Sequence, residues 1–143
     1  MTVLVAYAPG PEGQRALEAG AAEARLRGVP MHVATALTHD VGESPTHARR
    51  DMESAEATRS HLDHIAGDAR YRDLEVTTEL LHGQLGEVSG QLLEEVRRVG
   101  AELVVVGVRR RSPVGKLVLG SVSRDLLLGV DCPVLAVKAS TSD

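Results

Sequence analysis

Aromatic residues are almost missing from this chain: 143 residues include no Phe, no Trp and two Tyr. Proteins that stack bases on ring faces need exposed aromatic platforms, so a nucleic-acid reader of that kind is excluded. An excess of basic residues is missing too. Lys and Arg total 16 against 20 Asp and Glu, a formal net charge of -4 at pH 7, which is not the footprint of a phosphate-tracking surface. A single cysteine, Cys132, has no partner for an internal disulfide and fits a reducing cytoplasm. No apolar run approaches the length that spans a bilayer. The N-terminus lacks the basic start and long apolar segment of a secretion signal. These absences predict a cytoplasmic chain with neither nucleic acid nor membrane as partner. What is present is ordinary for a folded globular chain, 43% hydrophobic and 25% charged. The length suits one domain, expected over residues 1–138, with 139–143 as a frayed tail.

The hydrophobic pattern alternates between two kinds of element. Val3-Leu4-Val5-Ala6-Tyr7 is a short apolar run closed by Pro9, Gly10 and Pro11, which predicts a buried strand and a turn. Residues 12–27 read as a helix with Ala16, Leu17, Gly20, Ala21 and Ala24 on one side, ended by Gly28. A second strand is expected over 31–37 and a polar loop over 39–45. A second helix follows over 46–66, with Ala48, Met52, Ala55, Leu62 and Ile65 as its apolar stripe. A third strand over 75–81 and a third helix over 86–99 precede Leu103-Val104-Val105-Val106, a β-branched run that reads as a strand buried on both faces. Residues 107–119, rich in Gly and Arg, read as a loop; a fourth helix over 121–128 and a last strand over 134–137 complete the chain.

Five strands alternating with four helices predict an α/β fold, a mainly parallel sheet with helices on both faces. Right-handed crossovers reduce this to a doubly wound sheet, whose ligands bind beyond the carboxyl ends of the strands where the winding reverses. The glycine-bearing candidates for that position are the turn after the first strand and the segment after the fourth.

Several familiar motifs fail. Gly115-Lys116 resembles the end of a P-loop, but Arg110 stands where its first glycine belongs and Leu117 where its magnesium-binding hydroxyl belongs. Gly83, Gly86 and Gly90 lack dinucleotide-fingerprint spacing. A phospho-receiver needs acids at the ends of the first and third strands, where this chain has Tyr7-Ala8 and Leu81-His82. His61, Asp63 and His64 cluster on the second helix, with no third distant metal ligand indicated, and read as a solvated polar face. Cys132 has nothing nearby that would activate a thiolate. Gly120-Ser121-Val122-Ser123 lacks the second glycine of a nucleophile elbow. No catalytic residue and no metal ligand is assigned, and the chain is not expected to be an enzyme.

One stretch survives. A buried strand runs into Gly107, followed by Arg109-Arg110-Arg111, and Gly120-Ser121 opens the fourth helix. Unpaired N–H groups at a helix N-terminus carry partial positive charge and suit a phosphate. Glycine lets the backbone approach closely. The hydroxyls of Ser121 and Ser123 are placed to donate to phosphate oxygens or to cap the helix. The plainer alternative leaves Gly107 and Gly120 as turn residues, Ser121 as an N-cap and the arginines in water.

At this point the chain resembles the universal stress protein (UspA) family, from Val3 to Val137. The resemblance is carried by Ala101-Glu102-Leu103-Val104-Val105-Val106-Gly107, by Gly120-Ser121-Val122-Ser123 and by Cys132-Pro133-Val134-Leu135. The family signature looks like Gly, two residues, Gly, nine residues, Gly-Ser/Thr; Gly107 and Gly120-Ser121 match its outer positions. The resemblance implies a Rossmann-like, adenine nucleotide alpha hydrolase-like fold with strand order 3-2-1-4-5. It also implies a site for ATP, with Mg2+, at Gly107, Arg109, Arg110, Gly120, Ser121, Val122 and Ser123. It further implies a homodimer through the last strand, Val134, Leu135, Ala136 and Val137; an apolar edge strand favours such pairing. Two positions depart from the signature. Arg110 replaces its middle glycine, at a cost of about 1–2 kcal/mol if that residue must be left-handed. Ala8 stands where family members usually carry an Asp that helps hold the nucleotide or its metal. Against this, one charge-assisted contact from an arginine is worth roughly 1.5–3 kcal/mol. Three readings follow: a stress-response regulator that binds an adenine nucleotide without efficient hydrolysis, a dimeric interaction protein of this family that binds none, and an adenylate-forming enzyme, for which no acid, base or nucleophile is identified.

Overall fold

The computed structural model describes residues 1–38, 45–110, 117–118 and 120–139, with the side chains of 45–48, 50–51, 85, 109–110 and 117–118 left aside. In chain order the elements are β1 (Thr2–Ala6), α1 (Pro11–Arg27), β2 (Met31–Thr38), α2 (Pro45–Ala66), a 3-10 turn (Ala69–Tyr71), β3 (Val76–Gly83), α3 (Leu85–Arg98), β4 (Ala101–Arg110), β5 (Leu117–Val118), α4 (Ser121–Gly129) and β6 (Val134–Lys138).

The parallel sheet has the order β3-β2-β1-β4-β6, with β6 as the fifth parallel strand, so the expected 3-2-1-4-5 arrangement is the one found. Its strands are apolar on both faces because helices cover both. Consecutive strand residues point to opposite sides. Val3, Val5, Val33, Leu103 and Val105 pack under α1 and α2 with Leu17, Ala21, Leu62 and Ile65. Leu4, Ala34, Val104, Val106 and Val108 pack under α3 and α4 with Leu92, Val96 and Leu126. Fully burying one such leucine or valine contributes roughly 1.5–3 kcal/mol.

The first helix ends as its sequence predicts. Gly28 adopts a left-handed φ of 66°, and its N–H donates back to the carbonyl of Arg25 at 3.3 Å. The stripe of α2 is narrower than expected. Ala55, Leu62 and Ile65 are buried, whereas Met52 is 66% exposed. The side chain of Ala48, the 39–44 part of the predicted loop and the tail from 140 lie outside the described residues.

One element differs in kind. Residues 107–119 were expected to form a loop, but β4 continues through Gly107 and Val108 to Arg110. Tertiary pairing overrides the local loop signals. Gly107 and Val108 pair with Val137 and Lys138 of β6, and Arg109 and Arg110 pair antiparallel with Val118 and Leu117. The segment between strand and helix is therefore a hairpin at its base. No described helix is long and apolar enough to cross a membrane.

Candidate functional site

The chain winds outward from β1 through β2 to β3, then returns across the sheet to β4 and β6. The reversal leaves a crevice between the carboxyl ends of β1 and β4, the position at which open α/β sheets take ligands. A cavity of about 400 Å³ occupies it. Tyr7, Ala8 and Pro9 border it after β1, and Glu12 and Gly13 border it from the first turn of α1. Ala34 and Ala36 of β2, with Leu92 of α3, form an apolar wall. Gly107 and Val108 of β4 and Gly120, Val122, Ser123 and Leu126 of α4 close the other side. The volume suits a small organic ligand, and the lining is mostly small and apolar with a few polar groups, as such sites usually are.

Backbone bonds fix the β1 side. The Tyr7 N–H donates to the Ala34 carbonyl at 2.9 Å, and the buried Thr35 hydroxyl donates to the Tyr7 carbonyl at 3.1 Å. Gly10 then turns the chain at φ 125°, and Pro11 opens α1. The start of α1 lies very close to the strands. A Cβ on Gly13 would fall on the Ala8 carbonyl oxygen, and a Cβ on Gly107 would lie 2.6 Å from the Glu12 carbonyl oxygen. Both glycines are thus required by packing of the protein against itself. For Gly107 this adds a reason that sequence spacing does not reveal.

Gly120 is different. It is the N-cap of α4 with an ordinary extended backbone (φ −64°, ψ 160°), and among the described residues a Cβ there would meet nothing within 4 Å. Neither strain nor packing against those residues asks for glycine at this position. It offers no side chain to cap the helix, and the first turn carries no acid. The first helical amides, those of Ser121, Val122 and Ser123, precede the earliest intrahelical bond, from the Arg124 N–H to the Gly120 carbonyl at 3.0 Å. Such a terminus presents partial positive charge to whatever enters the cavity.

The structure therefore gathers Gly107, Gly120, Val122 and Ser123 around one space. Ser121 lies beside them and is exposed, outside the cavity lining. Arg109 and Arg110 sit at the end of β4, where backbone pairing with β5 holds them extended; their side chains, and Arg111 entirely, lie outside the described residues. Arg110 is not left-handed, since no described non-glycine residue has a positive φ, so the strain considered for it does not arise. Ala8 borders the cavity with a methyl group and no carboxylate. Sequence reading missed Tyr7, Glu12, Gly13, Ala34, Ala36, Leu92 and Leu126. For Gly13 a signal was available: it lies at i−3 and i−4 from Ala16 and Leu17 on the buried stripe of α1.

Tyr7 links the cavity to α2. Its hydroxyl lies 2.6 Å from His61 Nε2, and the two rings stack with centroids 5.6 Å apart. Burial raises the phenol above its usual range, with Tyr71 adding to the effect. His61 thus has a structural contact, while Asp63 and His64 are exposed. Among the described residues no group of three His, Cys, Asp or Glu side chains could hold a metal ion. Burial pushes the Cys132 thiol up, away from the reactive thiolate form.

Comparison with known proteins agrees with this architecture. Residues 1–138 match the model of the Universal stress protein family. A universal stress protein of Mycolicibacterium smegmatis is 36% identical over 137 residues, covering 95% of this chain and 96% of the relative. A solved universal stress protein from Archaeoglobus fulgidus superposes with a TM-score of 0.69 at 30% identity, covering 96% of this chain and 97% of that one. A second A. fulgidus structure, solved in complex with dAMP, gives a TM-score of 0.66 at 26% identity and covers 96% of each chain. The chain belongs to the universal stress protein family.

Proposed function

We propose that this protein is a stress-response regulator of the cytoplasm that binds ATP or a related adenine nucleotide in the crevice between β1 and β4, without efficient hydrolysis. The observation that carries the reading is the start of α4: an N-cap without a side chain, at which no described residue demands glycine, faces a cavity of about 400 Å³ at the switch point of the sheet. The phosphates would rest on the amides of Ser121, Val122 and Ser123, next to the end of β4 that carries Gly107, Arg109 and Arg110, with Mg2+ accompanying a triphosphate. The base would lie against the small apolar wall of Ala34, Ala36 and Leu92. The relative from A. fulgidus solved with dAMP supports this chemistry. The protein would act as a homodimer. Among the described residues β6 pairs only with β4, and its residues Val134, Leu135, Ala136 and Val137 offer an apolar edge to a second copy.

Ala8 favours a second reading. A cavity bordered by a methyl group in place of a carboxylate suits a family member that works through its dimer and helix surfaces without nucleotide. Thermal unfolding with AMP, with ATP, and with ATP plus Mg2+ separates the two. A ligand at 100 times its dissociation constant stabilises the fold by about 2.7 kcal/mol. A rise in Tm that saturates supports the nucleotide reading, and no shift at millimolar nucleotide supports the second.

A further inference from the structure

Two ionisable side chains lie inside the core on the α3 face, away from the cavity lining. His32 is 3% exposed and occupies an interior position of β2, between β1 and β3. Glu95 of α3, 6% exposed, reaches down to it. His32 Nδ1 lies 2.6 Å from the Thr77 hydroxyl of β3. Its Nε2 lies 3.4 Å from Glu95 Oε1, near enough for electrostatic interaction but not aligned as a hydrogen bond. The same Oε1 accepts from Arg98 Nε at 2.6 Å. Glu79 of β3 acts on the ring as a further negative charge, while β1 presents only Leu4 in register with it.

We propose that His32 and Glu95 form an acid-operated release between α3 and the sheet. At neutral pH the imidazole is uncharged, and the tautomer that fits accepts a hydrogen bond at Nδ1 from the Thr77 hydroxyl and carries its own hydrogen on Nε2, 3.4 Å from Glu95 Oε1. Protonation places a cation in a low-dielectric core. Among the described residues the carboxylate within direct reach, that of Glu95, is already engaged through the same oxygen by Arg98. Burial opposes the charged ring most strongly and Arg98 adds to that, outweighing the pull of Glu95 and Glu79, so the imidazole titrates below its ordinary 6.5.

Above pH 6.5 the stability held by the neutral ring is fully present. As pH falls from there toward the lowered value, the open form takes up the proton first and that stability is lost. The element that yields is α3. β2 is bonded to strands on both sides, whereas α3 lies on the outside with Arg98 already in solvent. Leu92, one turn before Glu95, is part of the cavity wall, as is Ala34, two residues along β2 from His32. Acidification thus loosens one wall of the crevice. Any effect on a bound nucleotide rests on the reading given under Proposed function; the release itself does not.

The test is amide hydrogen exchange without nucleotide, from pH 7.5 to 5.0, corrected for intrinsic exchange, on the wild type and on His32→Gln. The NMR titration of the wild-type imidazoles is recorded in parallel. The His32 ring should titrate below 6.5. Protection of the α3 amides should fall up to tenfold for each unit of that displacement, a unit being about 1.36 kcal/mol. The α1 amides should keep their protection, and His32→Gln should flatten the α3 response. A His32 ring that titrates at or above 6.5, or α3 protection that follows pH equally in both proteins, overturns the proposal. If His32→Gln does not fold, the wild-type titration and the contrast between α3 and α1 decide it in the same way.

Discussion

Replacing Gly107 by alanine separates the two reasons a glycine can stand beside a ligand cavity. The new Cβ would lie 2.6 Å from the Glu12 carbonyl oxygen, 2.8 Å from its carbonyl carbon and 2.9 Å from its Cβ. Two of those atoms are backbone in the first turn of α1, so no flexible side-chain tip can swing away. Relief requires that α1 lift from β4. Overpacking of this kind costs about 1–3 kcal/mol. Restraining the unfolded chain by exchanging Gly for Ala offsets roughly 0.4–1 kcal/mol of that. A net loss of about 1–2 kcal/mol remains, which at roughly 2–4 °C per kcal/mol for a domain near this size lowers Tm by several degrees. Urea unfolding checks it independently: the midpoint should drop with the m-value unchanged. Gly120→Ala is the control. Its Cβ would meet none of the described residues, and its backbone angles suit any residue. Its cost is confined to a poorer N-cap, about 1 kcal/mol or less. If Gly107→Ala unfolds at the wild-type midpoint, the close approach of α1 does not explain that glycine, and its position would have to be explained by a ligand alone.

Three further outcomes are expected. Gly120→Asp should abolish binding of AMP and ATP in calorimetry by putting a carboxylate at the amides of α4, while the unfolding free energy without ligand stays within about 1 kcal/mol of wild type; retained affinity removes the site. The Asp68 carboxylate, which accepts from the Arg70 N–H at 2.9 Å and from the Arg70 guanidinium, should titrate by NMR at about 2. What it contributes is present above the unfolded value of 3.8 and is lost as pH falls toward 2, and Asp68→Asn should remove that dependence. Tyr7→Phe should cost about 0.5–1.5 kcal/mol through the lost bond to His61, measured by chemical denaturation, and Tyr7→Phe with His61→Phe should cost less than the two single losses summed, because the shared bond is lost once.

The parts of the fold that were legible are those where one residue type has one physical use. Val3-Leu4-Val5 and Leu103 to Val106 can be buried on both faces only in a covered parallel sheet, and they are. Gly28 stops α1 because its left-handed backbone suits glycine. The end of β4 was not legible, because Gly107 and two arginines carry loop signals, and the partners that make them a strand lie in β5 and β6. Met52 fits the period of α2 but is 66% exposed, so periodicity alone placed it inside. The site divides in the same way. Gly120-Ser121 announces itself by composition, whereas Ala34, Ala36 and Leu92 look like any core residues until topology brings them to the crevice. His32 and Glu95 are 3.4 Å apart in space, yet they belong to a strand and a helix that each read as unremarkable.

The antiparallel rungs joining Arg109 to Val118 and Arg110 to Leu117 clamp the two ends of the connection leading to α4. Val118 stands two residues before Gly120, so the pairing that ties it to β4 also ties the origin of α4, and with it one border of the crevice, to the sheet.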